Sequence, residues 1–406
     1  MPDLIKISLT FLLILLLLRR KLNIGYVMMI ASVLLAFLYR MNLSNMLETA
    51  GKAVVNETTI KLLLALSLIR IFELILREKD VLSAMTSAVR GFLRDRRIVI
   101  VSMPVLIGML PSLGGAYFSA PMVKEATSGL RMSQEERAFI NYWFRHPWEF
   151  VLPLYPGILL ASAVSGIPLY NLIAANLTYA LVLLTTGFIY SMRDIQRQTG
   201  SHPSSPGERA KSDHRRTRGL LSFLPFFAVL FLVVVGRMEL HYALLLMVIA
   251  LFLAYRYRPS EVLRITRYGF AFEVIVLIFG IMLFKEVMEA SGAVGNLSRF
   301  FLEQGVPFLP IICFLPFLTG LLTGITVAFV GTTFPLVMSI TGGASLANIS
   351  LAFAAGFLGV LLSPVHLCLI LTKEYFKADL WGMYKKIMPA AAFILVAAFL
   401  EFMLLR

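Results

Sequence analysis

The residues best suited to chemistry lie in one run, Asn141-Tyr-Trp-Phe-Arg145-His146-Pro147-Trp148-Glu149. Arg145 and Glu149 stand four apart, one turn, so on a continuous helix they would pair on one face. A guanidinium is a planar fork that takes a carboxylate bidentately, which makes Arg145 the candidate anion holder, with Asn141 beside it. Glu149 and His146 are candidates for carrying a coupling proton, imidazole being the side chain that titrates nearest neutrality. His366, within Ser363-Pro364-Val365-His366, is a third. The plainer alternatives are an Arg145–Glu149 pair that only anchors a helix end and a His366 satisfied in the core. Arg70 and Glu73, three apart, read as a scaffold pair, and Lys285, Glu286 and Glu289 as its counterpart.

These residues sit in a chain of 406, of which 59% are apolar and 15% charged, with a mean hydropathy of +0.83. A soluble domain carries about a quarter charged residues. The composition excludes a soluble enzyme, a disordered tail and a nucleic-acid module, and makes the lipid bilayer the first partner. The net charge of +14 then reads as basic cytoplasmic loops. Cys313 and Cys368 lie in apolar runs, so neither a disulfide framework nor a metal knuckle is expected, and Cys368 reads as a small core residue. The first apolar run is followed by Arg19-Arg20-Lys21, the reverse of a signal peptide's charge order.

Candidate spans are 4–18, 24–39, 59–76, 138–164 and 170–192, then 220–235, 240–255, 271–288, 345–371 and 387–405. With the N-terminus outside, inner loops collect Arg19 to Lys21, Arg77 to Arg97, Lys124 to Arg137, Arg193 to Arg218, Arg256 to Arg267 and Lys373 to Lys386. Outer connections keep little more than Arg40, Lys52, Arg237 and Arg299. That bias places both termini outside a cytoplasmic membrane.

The linker 191–218 divides the chain into halves, 1–190 and 219–406, that are alike. Pro104 to Ser112 parallels Pro316 to Gly324, Val151-Leu-Pro153 parallels Leu362-Ser363-Pro364, and Ile71-Phe72-Glu73 parallels Leu283-Phe284-Lys285. The shared order, at an offset of roughly 211 to 216 residues, indicates duplication; five spans per half, an odd number, would insert the second copy upside down.

Two apolar stretches, 98–123 and 306–340, are too rich in Gly, Pro, Ser and Thr to be plain spans. Unpaired backbone costs several kcal/mol per group in lipid, so such stretches are expected as re-entrant hairpins buried against protein or a wet cavity. The first tip would offer Ser112, Gly114, Gly115 and Ser119; the second, Thr323, Gly324, Thr326, Thr332 and Thr333. Ser133-Gln-Glu-Glu136 is a capping box opening a helix expected to run through Asn141 and His146 until Pro153-Leu-Tyr-Pro156 breaks it. Ser363-Pro364 breaks its equivalent. The fold class expected is an all-α polytopic membrane protein of about ten transmembrane helices plus two re-entrant hairpins in two inverted-topology repeats.

At Pro111-Ser-Leu-Gly-Gly-Ala-Tyr-Phe-Ser-Ala-Pro121, Asn141 to Glu149 and Ser363-Pro-Val-His-Leu-Cys368 the sequence resembles a prokaryotic integral-membrane family, domain of unknown function 401. That family is grouped with the ion transporter superfamily of citrate, dicarboxylate and gluconate permeases and arsenite or sodium/proton antiporters. The resemblance implies an inverted-repeat fold with two hairpins, commonly a homodimer moving like an elevator. Carboxylate transporters of that superfamily hold sodium and substrate with Ser-Asn-Thr at hairpin tip and helix break; here neither tip has an asparagine.

The expected function is a secondary transporter of a small anionic solute, a carboxylate, coupled to H+ rather than Na+, with no resident cofactor or metal. The tips, Ser363, Asn141 and Arg145 would bind substrate; His146, Glu149 and His366 would couple ions. The alternative is a cation/proton antiporter using Glu149, Glu73 and His366. The sequence lacks a Gly-x-Ser-x-Gly elbow or a His-Glu-x-x-His motif, so no enzyme and no catalytic residue is expected. A scaffold or sensor is the remaining class.

Overall fold

The computed structural model describes residues 3–20, 22–92, 95–111, 115–192, 219, 221–293 and 307–406. Ser112, Gly114 and nearly all of the linker 191–218 lie outside them.

Among the described residues the chain is helical throughout, without a strand. The first half runs α1 (Asp3–Arg19), α2 (Ile24–Leu38), α3 (Leu43–Val55), α4 (Glu57–Glu78) and α5 (Val81–Phe92). It continues with α6 (Arg96–Gly108), α7 (Gly115–Ala126), α8 (Gln134–Trp143), α9 (Trp148–Val151), α10 (Pro156–Ser165) and α11 (Leu169–Met192). The second half runs α12 (Leu224–Val234), α13 (Leu240–Ala254), α14 (Pro259–Gly269), α15 (Phe272–Ala290) and α16 (Phe308–Thr323). Then come α17 (Thr326–Thr341), α18 (Leu346–Leu362), α19 (Leu367–Phe376) and α20 (Leu380–Leu405). Among the described residues four stretches are long and apolar enough to cross a membrane: Gln134–Ser165, Leu169–Met192, Leu346–Phe376 and Leu380–Leu405. Phe37, Leu253 and Leu404 expose most of their apolar surface, as side chains in contact with lipid do.

Each glycine- and proline-rich stretch is a pair of short helices packed on one another, α6 on α7 and α16 on α17. At 13 and 12 residues, α6 and α7 reach about 20 and 18 Å, well short of the ~30 Å hydrocarbon core. The second pair turns at Gly324, whose φ of +65° lies in the left-handed region that favours glycine.

The expected capping box forms: Ser133 Oγ accepts from Glu136 N at 3.2 Å, and Glu136 Oε2 accepts from Ser133 N at 2.8 Å. The helix it opens departs from expectation. It ends at Trp143, turns through Phe144 to Pro147, resumes for one turn as α9, and breaks again before Pro156. Pro147 lacks the N–H that a continuing helix needs. α18, which the sequence comparison of the halves sets against it, is unbroken to Leu362 and stops once, at Ser363 to His366. The core gathers around these breaks. Phe150 of α9 meets Phe357 of α18 edge-on at 4.7 Å, and Phe353 of α18 meets Phe329 of α17 at 5.7 Å.

Candidate functional site

Both hairpins dock against the breaks. Tyr155 donates its hydroxyl to Gly108 O at 2.5 Å and Trp148 its indole N–H to Val105 O at 2.7 Å, which fixes α6 to the double break. A Cβ added at Gly108 would stand 2.4 Å from Arg145 O; one added at Gly320 would stand 2.2 Å from Gly356 O. Each hairpin thus seats a glycine against neighbouring backbone, Gly108 on the turn at Arg145 and Gly320 on α18. The second tip reaches both breaks: His366 Nδ1 donates to Gly324 O at 2.7 Å, and Thr326 Oγ1 donates to Glu149 Oε2 at 2.7 Å. The methyl of Thr326 fills the space above Gly157, so the N-termini of α10 and α17 meet. Their N-terminal N–H groups give that junction a partial positive charge.

Arg145 and Glu149 do not pair. The turn at 144–147 removes the helical register that spacing alone implies, and Glu149 goes instead to Thr326, with Oε1 3.9 Å from His146 Nε2. Arg145 is 5% exposed, and its Nε and Nη1 are buried without a hydrogen-bond partner. Asn141 Nδ2 donates to Ala116 O at 3.2 Å and Thr372 Oγ1 at 3.0 Å, while its Oδ1 is buried and unpaired. His146 and His366 meet at 3.1 Å between their Nε2 atoms. Arg70 and Glu73 do not pair either: Glu73 accepts from Arg77 at 2.5 Å, one turn on, and Arg70 lies over the Tyr268 ring. Lys285 does approach Glu289, at 3.9 Å.

The structure therefore brings together His146, Glu149, Gly324, Thr326, Ser363 and His366; Arg145 adjoins His146 in the turn, and Asn141 lies a turn earlier, bonded to α7 and α19 instead. Ser363 Oγ accepts from Val365 N at 3.3 Å and shapes the second break. Thr323 donates to Thr319 O in its own helix at the tip. Thr332 and Thr333 lie more than a turn inside α17, their hydroxyls bonded back to Ala328 O and Phe329 O. Ser119 is likewise buried in α7 and bonded to Gly115 O, the residue that opens that helix.

Two cavities lie along α4 and α10, and the larger reaches the junction. One of about 780 Å³ is lined by Arg70, Glu73 and Asp80, with Pro111, Pro156 and Val327 from the tips and the break. The other, about 340 Å³, takes Lys61, Ser162, Tyr170, Arg237, Glu239 and His241. Along α4, Leu62 and Ala65 face the smaller cavity and Leu66 and Ile69 the larger; along α10, Leu159 and Pro156 divide in the same way. The contact of α4 with α10 is the wall between them.

Sequence reasoning passed over one buried polar group. Glu401 Oε1 accepts from Tyr179 OH and Ser350 Oγ, both at 3.0 Å, and Ser350 also bonds Asn176 Oδ1 at 2.9 Å. As the single acid in α20, Glu401 carried a signal that could have found it.

Helices of this length and apolarity, with polar groups gathered at interrupted helix ends, define an all-helical membrane protein. The chain matches the family described as protein of unknown function DUF401 over residues 4–405, and belongs to it. No curated protein matches it.

Proposed function

We propose that this chain is a secondary transporter that carries a small anion, a carboxylate, across the cytoplasmic membrane by proton-coupled alternating access. The observation that carries the reading is Arg145, a buried guanidinium with two nitrogens unpartnered, in the turn of the first break next to His146. A buried unpaired cation is expensive, and a carboxylate supplies what it lacks. Glu149, within reach of His146 and so of His366, forms the proton path.

The proposed frame is about ten spans and two re-entrant hairpins in two inverted repeats, both termini outside, assembled as an elevator-like homodimer. The recurring helix order and the matched seats of Gly108 and Gly320 support the repeat. Two cavities parted by one helix contact support alternating access: moving α10 and its hairpins against α4 would close one and open the other.

The test is uptake of labelled mono- and dicarboxylates into proteoliposomes under imposed pH or sodium gradients. Expected is uptake driven by the pH gradient and lowered roughly 100-fold by Arg145→Ala, as removal of a buried charge contact worth about 3 kcal/mol implies. Uptake untouched by that substitution, or proton flux that needs only an inorganic cation, would overturn the anion reading; the second outcome favours the cation/proton antiporter.

A further inference from the structure

His146 Nδ1 lies 2.7 Å from Tyr142 O, and His366 Nδ1 lies 2.7 Å from Gly324 O. A carbonyl oxygen only accepts, so each Nδ1 carries its hydrogen. A neutral imidazole has one N–H, so both Nε2 atoms are then bare acceptors. They face each other at 3.1 Å, one 2% and the other 9% exposed. Two lone pairs do not stay in contact in an apolar interior unless something positive sits between them. The third donor is at hand: Cys368 Sγ and the two imidazole nitrogens all lie within 4.8 Å of one another.

From this geometry we infer that His146, His366 and Cys368 form a binding site for one Zn2+-class metal ion, joining the broken helix of the first half to that of the second. Two ligands at Zn–N distances of about 2.0–2.1 Å in a tetrahedron stand about 3.3 Å apart, close to the 3.1 Å found. Metal-bound histidines donate their other ring N–H to a carbonyl or carboxylate, which fixes the tautomer, and both histidines here do so. A thiolate with two imidazoles selects Zn2+ over Mg2+ or Ca2+, which take oxygen donors. Glu149 Oε1, 3.9 Å from His146 Nε2, is a carboxylate beside the triad that could move in as the fourth ligand. With thiolate and carboxylate both bound, a divalent ion would be neutralised, as a buried ion requires. The exposed turn at Pro364 and Val365 beside His366 gives the ion a way in. Tyr142 closes the site from the other side, its ring 4.6 Å from that of His146 and 5.8 Å from that of His366. An ion here would pin the second hairpin's tip to both breaks, through Gly324 and His366 on one side and Glu149 and Thr326 on the other. It would thereby hold the transporter still.

The full chain, purified in detergent and stripped with a chelator, is titrated with Zn2+ and with Co2+ as a spectroscopic probe. Expected is one ion per chain, a thiolate-to-cobalt charge-transfer band, and no competition from Mg2+. Cys368→Ser should abolish the band and weaken Zn2+ binding about tenfold or more, and His366→Gln should weaken it similarly. Cys313→Ser should change neither. Absence of stoichiometric binding in the unsubstituted chain, or binding unchanged in both Cys368→Ser and His366→Gln, overturns the site and leaves a proton shared between two imidazoles. Either result is independent of carboxylate uptake, which the proteoliposome assay reads separately.

Discussion

Substituting alanine at Gly108 tests whether the first hairpin is seated on the break that carries Arg145. The added methyl would stand 2.4 Å from Arg145 O, whereas an ordinary contact begins at 3.4 Å, so the helices must part by about 1 Å. The carbonyl that accepts from Tyr155 belongs to the same residue and moves with it. Overpacking of this kind costs about 1–3 kcal/mol, and a weakened buried hydrogen bond about 1 kcal/mol more. Function should suffer more than stability, because a displacement near 1 Å among positioning groups can cost about 100-fold in rate. The assay pairs thermal unfolding in detergent with uptake into proteoliposomes. Gly320→Ala, 2.2 Å from Gly356 O, should behave alike. Gly51→Ala is the control: nothing lies within 4 Å of its added methyl, and alanine in a helix interior is neutral or stabilising by up to about 1 kcal/mol. Unchanged melting and uptake in Gly108→Ala would refute the seating, and with it the coupling of hairpin to Arg145.

Thr326→Val keeps the methyl that covers Gly157 but removes the donor to Glu149; Thr326→Ser does the reverse. If the hydrogen bond matters, valine should lower uptake about tenfold and serine little, and the opposite order would show that packing decides. Glu401→Gln retains an acceptor for Tyr179 and Ser350, whereas Glu401→Leu removes it and leaves Tyr179 only Ser350 Oγ and Ser350 only Asn176 Oδ1 as partners. Thermal unfolding should find the leucine variant less stable by about 1–3 kcal/mol and the glutamine variant closer to the parent. For orientation, Ser83→Cys in the larger cavity should react with an impermeant thiol reagent only in inverted vesicles, and Tyr170→Cys only in intact cells, in a background lacking Cys313 and Cys368; the reverse pattern would invert the topology.

Interrupted helices were legible in the sequence because proline and glycine inside apolar runs leave backbone groups that lipid cannot satisfy. Pro153, Pro156 and Pro364 therefore marked breaks that the structure contains, and the capping box at Ser133 marked a helix start that it also contains. Side-chain pairing was less legible, since it depends on register. Arg145 and Glu149 are a helical pair only if the helix continues, and Pro147 ends it. Arg70 and Arg77 stand three and four residues from Glu73, both within reach on a helix, and contact with Tyr268 of another helix decides between them. Thr332 and Thr333 were expected at a tip, but a hydroxyl inside an apolar helix bonds back to its own turn whenever nothing better faces it. Cys368 looked like a small core residue because only His366 stands near it in the chain, and His146, from the other half, joins the two only in three dimensions.

The asymmetry between the halves bears on how such a molecule could move. The first half supplies Arg145, His146 and Glu149 from a doubly broken helix; the second answers with Ala352 to Val360, almost wholly buried and without a charge. Polar groups crossing a bilayer need a companion surface that asks for no hydrogen bonds in return, and an apolar helix rich in Ala and Gly is one. Gly356 admits the Phe329 ring and Gly320 admits the Gly356 carbonyl, so α16, α17 and α18 pack backbone to backbone as one stiff body. Hydrogen bonds tie the site to that body and to the break that follows it: Thr326 to Glu149, Tyr142 OH to Leu361 O, and His146 to His366. On the proposed transport reading, a carboxylate held by Arg145 and His146 would compete with His366 and loosen that anchor, tying occupancy to mobility through the same atoms.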